Sequence, residues 1–187
     1  EPAERSHKWR THGYTFNQMF GAQSRIPSFL VAQHKVVSKD DAEAYISRLA
    51  GIESYLGQHL ANTESAGLSG IRPPLFVYDY ILSDARNVVT GYPFTSDVED
   101  GSEDSPLMAD FRGKVQALIL NGTVTDPEGS DLIFRASEAL KTKAGPAYQK
   151  LIDYMEYDKQ SATSDDGAWK LPDGAAYFSG RLKQMTT

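Results

Sequence analysis

Apolar residues recur at three- and four-residue spacing over most of this 187-residue chain, and strand-like alternation is scarce. The clearest stripe is Tyr45, Ile46, Leu49, Ile52, Leu56 and Leu60. Ser38 precedes it as a helix cap, and Asp40, Asp41 and Glu43 put negative charge where first-turn N–H groups lack partners. Gly67 and Gly70 close that unit. Pro73-Pro74 opens a second helix, since proline's missing N–H costs nothing in a first turn. Its stripe is Leu75, Tyr78, Ile81, Leu82 and Ala85, running to about Asn87. A third helix is expected over 106–120, around Leu107, Phe111, Val115, Leu118 and Ile119, with Asn121-Gly122 ending it. Asp126-Pro127-Glu128-Gly129 reads as a turn, and a longer helical segment follows over 130–159. Pro146 should kink or split that segment, because it removes a backbone donor and crowds the preceding turn.

The remaining stretches are less regular. Residues 1–13 are polar apart from Trp9 and read as an exposed lead-in to a helical domain over 14–187. Residues 14–37 have apolar patches without clear periodicity, which predicts irregular structure with room for a short helix. Residues 90–104 form a loop, and 161–167 a polar, flexible one. After Trp169, the turn Leu171-Pro172-Asp173-Gly174 leads into a short amphipathic helix carrying Tyr177, Phe178, Leu182 and Met185. Asp173 is expected to cap that helix with its carboxylate, and Gly174 to supply a backbone conformation that a side chain would forbid. A helix ending on Met-Thr-Thr, with no stop signal, reads as interrupted, so a further portion of the same parent protein is expected to complete the domain. The fold class is α, a multi-helix array forming part of a larger helical fold.

Composition narrows the function classes. A hydrophobic content of 40% and a charged content of 24% are ordinary for a globular protein. The net charge is −6 and the Lys and Arg residues are scattered, which argues against nucleic-acid binding. Zero cysteines exclude disulfides, thiolate metal sites and cysteine nucleophiles. No run approaches the ~18 apolar residues of a membrane-spanning helix. The chain starts at Glu1 rather than Met, as after removal of a leader or trimming.

Candidate chemistry is sparse. The four histidines, His7, His12, His34 and His59, form no His-Glu-x-x-His pattern, so this chain is expected to bind no cofactor and to be inactive alone. Asp97, Glu99, Asp100, Glu103 and Asp104 could offer oxygens to calcium, but EF-hand spacing is absent. The plainer reading is a solvated loop extended by its own charge repulsion. No Gly-x-Ser-x-Gly elbow or glycine-rich phosphate loop occurs, and no spacing singles out a carboxylate pair. Asn121-Gly122-Thr123 matches a glycosylation sequon but reads first as a turn.

The block Trp169-x-Leu171-Pro172-x-Gly174-x-x-Tyr177-Phe178, continued by Leu182 and Thr186-Thr187, resembles a block of the bacterial domain-of-unknown-function 885 family, with Phe178 where a second Tyr is common. Asn17-Gln18-Met19, Tyr45 with Arg48-Leu49, Gly70-Ile71-Arg72-Pro73-Pro74, Pro106-Leu107-Met108 with Phe111, and Pro146-Ala147-Tyr148 with Leu151 match further blocks in order. The resemblance covers Tyr14 to the end. It implies a helix-rich, zinc-metallopeptidase-like protein of the periplasm or cell envelope, often secreted or lipid-anchored. A later His-Glu-x-x-Pro-Gly-His-His segment, absent here, would carry the zinc. On that basis this chain is expected to build part of a cleft for a peptide-like substrate. Tyr177 would donate to an oxyanion and Arg181 would pair with a carboxylate. Asp173 and Gly174 would set the turn, and Asn17 and Gln18 would line the same cleft. The alternative is a non-catalytic helical binding module of the cell envelope.

Overall fold

A computed structural model of the chain describes Trp9 and residues 12–186. The expected lead-in over 1–13 therefore falls largely outside the described residues, and His7 with it. The described residues are predominantly helical, with no strand among them beyond one isolated bridge between Tyr92 and Asp104.

The helices are α1 (Ala22–Ala32), α2 (Lys39–Leu68), α3 (Leu75–Val88), α4 (Pro106–Leu120), α5 (Asp126–Ala139), α6 (Gly145–Lys159) and α7 (Gly174–Thr186). A π-helical segment, Leu140–Ala144, joins α5 to α6, and a 3-10 turn, Ala168–Lys170, precedes α7. At 30 residues α2 is about 45 Å long. It is the spine: α5, the π segment and α6 pack along it, α3 packs on α6, and α4 on α5. The short α1 bridges α2, α3 and α4.

Local chemistry explains most boundaries. The Ser38 side chain accepts the Asp41 N–H while the Asp41 carboxylate accepts the Ser38 N–H, a reciprocal capping box. Thr125 and Glu128 repeat that arrangement at the start of α5. The expected Asp126–Gly129 turn is therefore the first turn of a helix: Pro127 sits where a proline is tolerated, and the Thr-x-x-Glu box sets the start one residue before Asp126. Pro146 is accommodated as expected by a break, here a π-helical segment of wider turn directly ahead of it. In α3 the expected stripe Tyr78, Ile81, Leu82 and Ala85 is buried, extended by Val77 and Val88, and only Leu75 of the expected set lies exposed.

Three tyrosines are fully buried, and each phenol finds an acceptor. Tyr45 donates to Asp110 (2.7 Å), Tyr78 to Asp158 (2.6 Å) and Tyr148 to the Gln23 carbonyl (2.6 Å). An unpaired hydroxyl would be costly there, so these bonds fix how α2, α3 and α6 meet their neighbours. No helix among the described residues is long and apolar enough to cross a membrane.

Candidate functional site

The terminal block is shaped by close backbone packing. The Gly174 N–H donates to the Leu171 carbonyl and the Tyr177 N–H to the Asp173 carbonyl, both at 2.9 Å. Asp173, not Gly174, takes the left-handed conformation, with φ +55°, which a short polar side chain tolerates better than most. Gly174 is required for another reason: a Cβ there would stand 2.0 Å from the Ala168 carbonyl oxygen. The left-handed conformation expected at Gly174 thus falls on Asp173, and the Asp173 backbone carbonyl accepts the first bond of α7. Leu171 is buried, and α7 folds back on the 3-10 turn.

This fold-back brings Tyr177 onto the N-terminal segment. Its ring lies 5.2 Å from His12, stacked, and 5.6 Å from Trp9, edge-on. His12 Nε2 is 3.0 Å from the Pro172 carbonyl oxygen, tying the same segment to the Leu171–Gly174 turn. Gly180 gives Trp9 its room, since a Cβ would come within 3.1 Å of the indole nitrogen. Burial raises the pKa of the neighbouring Tyr14 phenol, and the proximity of Tyr177 raises it further.

The other predicted site residues fare unequally. Asn17 accepts the Met19 and Phe20 N–H groups on its side-chain oxygen and donates to the Tyr14 carbonyl. These bonds shape the loop that carries Tyr14. Gln18 is exposed. Arg181 is exposed on α7 and donates to Gln184 at 2.8 Å.

Beside this aromatic cluster opens a cavity of about 190 Å³. One wall is the Gly13–Phe16 segment; α2 contributes Asn62, Thr63, Ser65 and Ala66, the following loop Ile71 and Pro73, α3 Tyr78, and α6 Met155. Behind Tyr78 lies a buried charge. Asp158, 3% exposed, accepts from the Tyr78 hydroxyl and from Arg72 Nε at 2.8 Å. Burial and that bond hold the Tyr78 phenol well above its ordinary pKa, and the Asp158 bond likewise raises Arg72. Tyr154, one turn before Asp158 on α6, is pushed up to about 12, chiefly by burial and then by Asp158. Sequence reasoning did not single out this trio. The signal was available: Asp158 extends the buried Leu151, Met155 stripe at helical spacing, and a carboxylate on a core face calls for a cation or hydrogen-bond donors beside it.

The histidines stand apart. His34 is buried against Arg48, whose guanidinium donates to Nδ1 (2.8 Å), while Nε2 faces the Asp41 carbonyl (3.2 Å). Together these contacts select the neutral tautomer protonated at Nε2. His59 packs edge-on against Tyr55, and burial lowers its pKa. Among the described residues no group of three His, Asp or Glu side chains converges as metal ligands, so they do not fit a zinc site. Nor is the acidic loop extended by repulsion. Arg112 pairs with Asp104, Asp100 accepts from Ser102 and Glu103 from Ser96, folding it against α4.

Residues 2–187 match the family model described as a bacterial protein of unknown function (DUF885). A search of curated proteins gave no match. Among solved structures, the chain is similar to the crystal structure of the "putative lipoprotein from Colwellia psychrerythraea", with a TM-score of 0.79 and 19% identity. The alignment covers 91% of this chain and 27% of that one, so the chain corresponds to a minor part of that protein's length.

Proposed function

The chain belongs to the bacterial DUF885 family, and on that premise we propose that it forms one wall of a cleft for a peptide-like substrate in a longer, envelope-associated, peptidase-like protein. In this reading the catalytic groups belong to a further portion of the parent, since the described residues do not fit a metal site. The likeness to a protein described as a lipoprotein supports the envelope assignment. The carrying observation is Tyr177: its ring packs against Trp9 and His12, on the segment that continues into the Gly13–Phe16 wall of the cavity. A phenol so held can donate to a substrate carbonyl without first being ordered, which is how a preorganised donor favours a transition state over a ground state.

Tyr177→Phe in the full-length parent tests this. A transition-state donor is worth roughly 2.7–4 kcal/mol, so peptide turnover should fall a hundredfold or more while the urea midpoint hardly moves. A tyrosine that only packs would leave turnover intact and cost about 1 kcal/mol of stability. A parent inactive on every peptide tried would favour the binding-module reading instead.

A further inference from the structure

We propose that the cavity between the Gly13–Phe16 segment, α2 and α3 is a subsite for an uncharged, ring-sized side chain with a hydrogen-bonding edge, tyrosine before phenylalanine. The proposal rests on the cleft reading for its place along a substrate, but ring binding can be read without turnover. Size argues first. About 190 Å³ is below the volume of a drug-sized pocket and slightly above the ~150 Å³ that admits a benzene ring in an engineered apolar cavity. Lining argues second. Phe16, Ile71, Pro73 and Met155 supply apolar surface. Asn62 and Ser65 line the cavity yet are exposed, which puts hydrogen-bonding groups at its open side.

Charge argues third. No lining residue is ionised, and the nearest buried carboxylate, Asp158, is already held by Arg72 and by Tyr78, which forms part of the wall. An ammonium or carboxylate entering this space would lose water and gain no counter-ion. A neutral ring loses little, and a phenol edge can bond at the rim.

The test is titration of the full-length parent with N-acetyl amides of tyrosine, phenylalanine, glutamate and lysine, followed by NMR shifts of the Gly13 amide and the Ala66 methyl under selective labelling. Saturable shifts with the tyrosine and phenylalanine probes, at least tenfold tighter than with the charged ones, are expected. Ala66→Leu should fill the space and abolish binding. Asn62→Ala, on the exposed rim, should fold normally and erase the preference for tyrosine over phenylalanine. Absence of saturable shifts, equal binding of the charged probes, or an unchanged preference in Asn62→Ala would overturn the proposal. Ring binding in a parent that cleaves no peptide would sink the cleft reading alone, and turnover without ring selectivity would sink the subsite alone.

Discussion

At the residue scale, a few buried polar groups within the apolar core find their partners in distant parts of the chain. Tyr78 and Arg72 converge on Asp158 from 80 and 86 residues away. Tyr78→Phe removes a bond to a charged acceptor, which should cost roughly 1.5–3 kcal/mol, read as a lower urea midpoint with helix content unchanged. His34 gives a pH dependence of definite sign. Burial first, and then Arg48, lower its pKa below the ordinary imidazole value. Between those two values the unfolded chain binds a proton that the folded one does not. Stability from this group is therefore full above about pH 6.5 and declines as the pH falls below that value. His59, whose pKa is also lowered, acts in the same direction, so the informative quantity is a difference. The loss of midpoint between pH 7.5 and 5.5 should be smaller in His34→Gln than in the parent sequence.

At the element scale, helix starts are encoded locally and helix placements are not. Ser38→Ala breaks one half of the α2 capping box and should cost about 1 kcal/mol in thermal or urea unfolding. Glu128, held down to about 2 by Lys39 and Thr125, supports the α5 box with stability present at neutral pH and lost as the pH falls through that value. Gly174 is different in kind. Its Cβ would meet a backbone carbonyl, which cannot rotate aside as a side-chain tip can. Gly174→Ala should therefore cost about 1–3 kcal/mol at the α7 junction. The expected sign is faster tryptic cleavage at Arg181 and Lys183, with the α2–α6 core unchanged.

At the scale of the whole molecule, the first and last described segments meet. His12 reaches Pro172 across 160 residues, and Tyr177 sits on Trp9. Beyond that contact α7 turns an apolar stripe outward: Phe178, Leu182 and Met185 are 56%, 47% and 77% exposed. The stripe has the spacing of a packing face, and no described element covers it. Such a surface should bind a hydrophobic dye or promote self-association of the chain in isolation. Phe178→Glu with Leu182→Glu should lower dye fluorescence while leaving the urea midpoint in place. Dye binding unchanged by that pair would assign the signal to another exposed group, such as Met19 or Phe20.

The all-helical class, the extent of the 106–120 helix, the Ser38 cap, the break at Pro146 and the family blocks were legible in the sequence. They depend on spacing and on neighbours within about four residues. Locally ambiguous signals went astray for the same reason. Asp126-Pro127-Glu128-Gly129 carries turn residues and helix-start residues at once, and only the Glu128 carboxylate folding back on Thr125 decides between them. In Asp173-Gly174 the left-handed conformation falls on Asp173, while Gly174 is needed because the Ala168 carbonyl leaves no room for a Cβ, a contact no local pattern announces. The stacking of Tyr177 on His12, the burial of Asp158 with Arg72 and Tyr78, and the cavity before them were decided by tertiary structure alone. Each joins residues many turns apart, and what selects the pairing, burial of ring surface and the need of a buried charge for partners, exists only once the helices are packed.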